Sequence, residues 1–595
     1  GLDSLAVVEL ALRIEGRFGH AVREPGALQT VHDCLRAASG RLAAAAPEQE
    51  DAAARLAAQW RDSLRSRPET PLSLPEASSL PLTILRQLRR APSRPLIADG
   101  NQLLSAADFW TRAVALSLYL RRRCGTGGNL GILLPASAAA GICWLAVLLS
   151  GNTPVMLNWT TGMRNLRHGL TVAGVRYILC AHALLRRLDM RSLQEAAAAV
   201  GADWLLLEDV ATSLSPWLRL EAFCRARLSL LGLEACVMPR RMSPHAAILF
   251  TSGSSAAPKG VPLTHENILA NCRDVAVMFA LTSRDVMLAM LPPFHSLGLT
   301  GNIVLPLCLG MPVVCHANPT EGARLAGLCR RWRPSLLLAP PSFLDGMLRE
   351  AQPGDLTSLR LGFVGAEACP QRIYDAFARQ TGGGLLCEGY GVTECSPLVC
   401  VNLPQEARPG TIGRPLPSVR TAIVTPQAPY QPLPPGQAGL LLVRGPNVFE
   451  GYLAADGQAP ASPFLMLDGQ RWYCTGDLVR ADADGHLTFA GRRDRFIKMG
   501  GEMISLPQLE AVLRQNLVEE EEQGGPVLAV DAVAEGGQTL LVLYTTLPVT
   551  CAQANAVLHA EGFSGLHMLR RVCHLESLPL LGSGKIDYRR LSAQE

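Results

Sequence analysis

The pattern of apolar and polar positions changes character along the chain. After Gly1-Leu2-Asp3-Ser4-Leu5, the residues Leu5, Val8, Leu10, Leu12 and Ile14 fall largely on helical spacing. Asp3 and Ser4 stand where a helix start needs side-chain acceptors for its free amides. Residues 21–45 add further short helical material, and residues 43–67, rich in alanine and arginine, read as a surface helix. Pro68-Glu69-Thr70-Pro71 and Leu74-Pro75-Glu76-Ala77-Ser78-Ser79 then punctuate the chain as a linker. From about Pro81 onward, apolar runs alternate with helical segments, which predicts an α/β architecture.

One run tests that expectation. No charged residue occurs between Asn129 and Arg164, and residues 130–150 are strongly apolar. A membrane-spanning helix needs about 20 continuous apolar residues. Pro135 divides the run, so Gly131-Ile132-Leu133-Leu134 reads as a buried strand and residues 137–150 as a helix too short to cross a bilayer. No transmembrane span is expected.

Composition narrows the class. A chain of 595 residues allows roughly two to four compact units. With 48% hydrophobic and 18% charged residues, most of it is not disordered. A net charge of +4 gives no electrostatic case for nucleic-acid binding. The 17 cysteines include no CxxC pair, the nearest two being Cys395 and Cys400. Neither a zinc site nor a disulfide framework is written, and a reducing, cytoplasmic compartment is the simple reading. Only three of the 55 basic residues are lysines: Lys259, Lys498 and Lys585. Where arginine otherwise supplies the positive charge, a retained lysine marks work that a planar guanidinium cannot do.

Each lysine lies in a glycine-containing segment. Ile248-Leu249-Phe250 reads as a strand that runs into Thr251-Ser252-Gly253-Ser254-Ser255-Ala256-Ala257-Pro258-Lys259-Gly260. Hydroxyls and free amides in such a turn form a phosphate cradle, and Lys259 adds a point charge; a polar strand-to-helix turn is the plain alternative. The segment is not a Walker A loop, since no GK[ST] appears. Further on stand Glu388-Gly389-Tyr390-Gly391-Val392-Thr393-Glu394 and Tyr473-Cys474-Thr475-Gly476-Asp477. Gly491-Arg492-Arg493-Asp494-Arg495-Phe496-Ile497-Lys498-Met499-Gly500-Gly501-Glu502 and Leu578-Pro579-Leu580-Leu581-Gly582-Ser583-Gly584-Lys585 complete the series.

In this order the five segments resemble the adenylate-forming (AMP-binding) superfamily of acyl-CoA synthetases, luciferases and peptide-synthetase adenylation domains. A narrower likeness is carried by Gly389-Tyr390-Gly391-Val392-Thr393-Glu394-Cys395-Ser396-Pro397, Gly501-Glu502-Met503-Ile504-Ser505-Leu506, Pro292-Pro293-Phe294-His295-Ser296-Leu297-Gly298-Leu299 and Leu580 to Lys585. These look like the acyl-ACP synthetase part of the bifunctional 2-acylglycerophosphoethanolamine acyltransferase/acyl-ACP synthetase family. The opening Gly1-Leu2-Asp3-Ser4-Leu5 resembles the phosphopantetheine-attachment motif of acyl carrier proteins, with Ser4 as the modified serine.

The resemblance implies a large α/β adenylate-forming domain over 81–493 and a small mobile α+β lid over 494–595. A partial all-α carrier segment over 1–42 and a linker over 43–80 precede them. It implies ATP- and Mg²⁺-dependent activation of a fatty acid to acyl-AMP, then transfer to 4′-phosphopantetheine, on Ser4 or on a separate acyl carrier protein. By the same likeness Thr251, Ser252, Gly253, Ser254, Ser255 and Lys259 surround the phosphates, Thr393 contacts the α-phosphate and Glu394 holds Mg²⁺. Tyr390 stacks on adenine beside Gly365-Ala366-Glu367, and Asp477 binds the ribose hydroxyls with Arg492 alongside. Lys585 bridges carboxylate and α-phosphate, His295 closes the fatty-acid pocket, Lys498 serves a thioester-forming face, and Asp494 is the lid hinge. Asp477 as a turn residue, Tyr390 as a core aromatic, His295 as a satisfied polar group and Lys498 as a strand cap remain the plain alternatives. Ala256 departs from the glycine usual in the phosphate loop. Because the chain starts at Gly1 and its carrier motif precedes the ligase, it reads as cut from a longer polypeptide, with an acyltransferase domain upstream. Contact with the cytoplasmic face of the inner membrane belongs to the same expectation. The competitors are a fatty acyl-CoA ligase, an assembly-line loading module and a non-catalytic lipid-binding protein.

Overall fold

The structure, a computed structural model, describes residues 47–161, 163–186, 188, 190–251, 258–454, 462–499, 502–518, 526–535, 538–561, 563, 565–580 and 586–592. The chain divides into two compact units, residues 1–66 and 67–595. The described part of the first is one helix, Pro47–Arg65, on residues that read as a surface helix. The carrier-like segment and Ser4 lie outside the described residues.

In the second unit, the proline-rich stretch that reads as linker runs against folded chain. Arg67 donates to the Pro95 carbonyl at 3.1 Å, and Leu72 N–H donates to the Leu281 carbonyl at 2.8 Å. Two large sheets follow. One holds nine strands, in spatial order Arg414–Pro415, Leu398–Val401, Leu385–Gly391, Leu361–Val364, Leu336–Ala339, Met287–Ala289, Val313–Cys315, Pro95–Asp99 and Gln102–Ser105. Its middle six strands are mutually parallel. The other holds six: Asp203–Leu206, Tyr177–Cys180, Asn129–Ile132, Thr153–Met156, His245–Thr251 and Lys259–Thr264. Strands such as Leu336–Ala339 and Thr153–Met156 are buried at every position, as parallel strands covered by helices on both faces must be.

The charge-free run divides at Pro135 into strand and helix as the pattern predicts, with the strand two residues earlier than Gly131–Leu134. It supplies the strand Asn129–Ile132 and the helix Ala138–Leu149, whose start is capped by Ser137 Oγ accepting from Ala140 N–H at 3.2 Å. The helix packs on strands of both sheets, and Trp144 fixes it by donating its indole N–H to the Ala246 carbonyl at 3.0 Å. Its apolar surface is therefore the core between the sheets. Among the described residues, no helix is long and apolar enough to cross a membrane.

An antiparallel sheet of Arg420–Val424, Ala438–Arg444, Gln470–Ala481 and Phe464–Leu467, with Leu487–Arg492 added to the long strand, completes the large α/β domain. Beyond it the chain forms a smaller α+β part. It comprises the hairpin Phe496–Met499/Glu502–Ser505, the helices Leu506–Leu517 and Cys551–Ala560, and the sheet Leu528–Glu535, Gln538–Thr545, Arg571–His574. Ile504, Leu509, Leu513, Leu528 and Leu543 give this part a core of its own.

Candidate active site

A cavity of about 3040 Å³ opens at the C-terminal ends of the parallel strands of the nine-stranded sheet, where α/β sheets present ligands to loops. Small-molecule sites take roughly 300–1,000 Å³, so this space suits two or three ligands together. Its lining gathers Thr251, Lys259, His295, Gly365, Ala366, Glu367, Tyr390, Thr393, Glu394, Asp477 and Arg492 from five distant stretches of sequence.

One corner is built on strand ends. Gly365 follows the strand Leu361–Val364, and a Cβ there would stand 2.7 Å from the Gly389 carbonyl, so the chain leaving that strand passes backbone to backbone against the strand Leu385–Gly391. Next to it Ala366 is held at φ 72°, a conformation that favours glycine. Tyr390, near the end of Leu385–Gly391, donates its hydroxyl to Asp477 Oδ2 at 2.5 Å. Across the antiparallel pair, Arg492 Nε lies 3.1 Å from Asp477 Oδ1. Both carboxylate oxygens are thus oriented, and each keeps a lone pair for a further hydroxyl. Burial, with the Asp477 charge beside it, holds the Tyr390 phenol well above its ordinary range, so it stays a donor.

The adjacent corner is a tight return of chain. Gly391 is required because a Cβ would fall 2.2 Å from the Pro397 carbonyl. The return presents Thr393, whose hydroxyl lies 3.3 Å from that of Ser296, and Glu394, which is buried. Tyr452 donates its hydroxyl to Glu394 Oε1 at 2.7 Å, and Lys259 Nζ sits 4.8 Å from the centre of the Tyr452 ring. Burial raises the Glu394 carboxyl above the usual range, opposed by the Tyr452 hydrogen bond. A cation nearby would restore its charge. No group of three or more His, Cys, Asp or Glu could cage a metal among the described residues. One buried carboxylate beside hydroxyls therefore fits Mg²⁺, which retains waters and takes phosphate oxygens, rather than a zinc-type cage.

A third region is apolar. Trp159, Phe294 and His295 form a chain of edge-on rings, with centroids 4.7 Å apart at each step. Cys272 and Val275 of the helix His265–Met278, with Phe279 just past its end, also line the cavity. Leu281, Met287, Leu336, Leu338 and Phe363 face them, with Phe279 and Phe363 packed edge to face at 4.6 Å.

Not every expected residue is described. Ser252, Gly253, Ser254, Ser255, Ala256, Gly500, Gly501 and Lys585 lie outside the described residues, as do the side chains of Asp494 and Lys498. Asp494 itself occupies a single 3₁₀ turn, Arg493–Arg495. Next to it Arg495 donates to Glu510 Oε1 at 2.7 Å and stacks 3.6 Å over the Tyr588 ring. Leu580 and Ile586, on either side of the Lys585 segment, form an antiparallel bridge and line the cavity. Sequence reasoning missed Tyr452, Ser296 and Trp159. Nothing in the local sequence marks Tyr452 apart from any aromatic, because its partner Glu394 is 58 residues away.

Residues 84–453 match the AMP-binding enzyme family. The chain belongs to it. Among AMP-binding enzymes, it is 27% identical over 482 residues to the long-chain-fatty-acid–CoA ligase of Bacillus subtilis, covering 75% of this chain and 83% of that protein. It is 36% identical over 275 residues to the medium-chain fatty-acid–CoA ligase of Escherichia coli, a match spanning 46% of this chain and 47% of that protein. That match spans about half the length of the Escherichia coli relative. Among solved structures of such enzymes, ATP-bound MatB from Rhodopseudomonas palustris matches with a TM-score of 0.71 and 23% identity, covering 87% and 99% of the two chains. O-succinylbenzoate coenzyme A synthetase from Bacillus subtilis, in complex with ATP and magnesium, matches at 0.70 and 22%, covering 85% and 98%. These likenesses establish the α/β adenylate-forming fold, with its large domain and smaller C-terminal one.

Proposed function

We propose that this AMP-binding enzyme is an acid–thiol ligase that activates a fatty acid with ATP and passes the acyl group to the pantetheine thiol of an acyl carrier protein. The observation that carries the reading is the junction of a polar corner (Lys259, Thr393, Glu394) with a deep apolar wall in one cavity. A fatty acid needs both: a carboxylate held against phosphate, and a dry slot for its tail.

In the first half-reaction a carboxylate oxygen attacks the α-phosphorus of ATP; the P–O bond to pyrophosphate breaks and acyl-AMP forms. Charge grows on the phosphate oxygens, so donors and cations that strengthen there accelerate the step. Thr251, Lys259 and Thr393, with Ser252, Gly253, Ser254 and Ser255, take that role. Mg²⁺, held by Glu394, would supply charge neutralisation on the phosphates. Asp477 grips the ribose with Arg492 at its back, while Tyr390 and Gly365-Ala366-Glu367 bound the adenine. Lys585 bridges carboxylate and α-phosphate. In the second half-reaction the thiol sulfur attacks the acyl carbon, the bond to AMP breaks and the thiol proton leaves to solvent. The lid, 494–595, turns about Asp494 between the two steps and brings Lys498 and its neighbours forward. His295, in the ring chain with Phe294 and Trp159, closes the mouth of the acyl slot.

The carrier protein as acceptor is supported by the Ser4 motif and by the acyl-ACP synthetase likeness. A second reading, free coenzyme A as acceptor, is favoured by relatives whose names are fatty-acid–CoA ligases. Intact-mass measurement of holo-acyl carrier protein, incubated with the protein, ATP, Mg²⁺ and palmitate while coenzyme A competes, decides between them. An acyl mass on the carrier is expected. Acyl-CoA with an unmodified carrier would establish the second reading, and neither product would sink both.

A further inference from the structure

The helix Pro216–Leu230 is apolar on two opposite faces. Leu218, Ala222, Ala226 and Ser229 recur every three or four residues and are buried. They pack on the helix Ala106–Cys124, whose Trp110 donates to Ser229 Oγ at 2.9 Å. The opposite stripe is Trp217, Leu220, Cys224 and Leu228, again three or four apart, and it is exposed. Trp217 is 81% exposed, and just past the helix Leu231 is 83% exposed. Among the described residues eleven large apolar side chains are exposed, and six of them lie between Trp217 and Leu233. Scattered exposed apolar residues need no explanation, but a contiguous patch does. None of the six lines the central cavity.

Within residues 216–241 the charges left over after pairing are basic. Arg219, Arg227, Arg240 and Arg241 are exposed. Arg219 donates to the Leu214 and Ala211 carbonyls, and Arg227 lies 5.1 Å over the Phe223 ring. The two carboxylates between residues 216 and 241 are neutralised. Glu221 pairs with Arg122 and Arg225 at 2.7 and 3.0 Å, and Glu234 with Arg86 and Arg89 at 2.9 and 3.0 Å. The preceding acids along the chain are Glu208, which accepts from the His182 backbone N–H, and Asp209, which lies 3.3 Å from His182 Nε2.

We propose that this face docks the protein on a bilayer carrying anionic lipid, with Trp217, Leu220 and Leu231 among the headgroups and the arginines at phosphate level. A single-helix face with an outer tryptophan and long basic side chains around it suits a fluid interface. A second copy is disfavoured, because a two-fold contact through this face would bring two arginine-rich surfaces together. The protein lies on the bilayer rather than through it.

The test is co-sedimentation of the full chain with vesicles of phosphatidylethanolamine and phosphatidylglycerol, against vesicles of phosphatidylcholine alone. Retention on the anionic vesicles is expected, falling with salt. Leu220→Glu/Leu231→Glu should weaken it about tenfold or more while leaving the melting temperature and lipid-free activity unchanged. Brominated lipid should quench Trp217 fluorescence, and Trp217→Leu should abolish the quenching but keep the retention. No retention of the wild type on anionic vesicles, or retention untouched by the glutamate pair, overturns the proposal. So does a wild-type dimer that the glutamate pair dissolves, since a second copy would then cover the face.

Discussion

Glu394 joins a cost of burial to the task proposed for it. Burial lifts its carboxyl above the value in an unfolded chain, so the folded chain binds that proton more tightly and stability falls as pH rises through the shifted range. Glu394→Gln, neutral at every pH, removes that loss. Its melting temperature at pH 8 should equal or exceed that of the wild type, while ATP–pyrophosphate exchange falls about 10²-fold. A variant that melts several degrees lower would contradict this. The Tyr452 hydroxyl works the other way, since its bond favours the ionised carboxylate. Tyr452→Phe should therefore move the acid limb of kcat/KM for MgATP to higher pH, visible in a pH–rate profile; an unmoved limb would count against Glu394 as the metal-holding group.

Short elements position the polar corner. Gly298 opens the π-helical turn Gly298–Val304, and a Cβ on it would fall 2.1 Å from the Pro292 carbonyl, the acceptor of His295 N–H at 3.1 Å. Gly298→Ala should cost about 1–3 kcal/mol of stability and raise KM for the fatty acid, read by thermal melting and steady-state kinetics. An unchanged melting temperature and KM would mean that the turn yields freely. The elements that hold recognisable motifs were legible in the sequence. Asp477, Tyr390 and Glu394 announce themselves through glycine-flanked segments, and Pro135 separated strand from helix in the charge-free run. The cavity wall was not legible, because Cys272, Val275 and Phe279 look the same whether they meet a core or a void. Nor was the outer stripe of Pro216–Leu230, since a helix apolar on two opposite faces shows no simple period.

Across the whole molecule, the two half-reactions proposed above would make different demands on the C-terminal part. Arg495 is locked to Glu510 and Tyr588 one residue beyond Asp494, the hinge proposed above between that part and the strand Leu487–Arg492. Lys585→Ala should abolish adenylate formation, yet a supplied acyl-adenylate should still reach the thiol within about tenfold of the wild-type single-turnover rate. Equal loss in both steps would remove Lys585 from a step-specific role. Docking through the stripe around Trp217, as proposed above, would have a further effect at this scale. A long-tailed acid resides in lipid, so a protein resting on the headgroups meets it as a mole fraction in a two-dimensional solvent. At a fixed total amount of long-chain acid, empty vesicles would slow turnover by surface dilution, whereas the same vesicles would leave turnover of a short, water-soluble acid untouched.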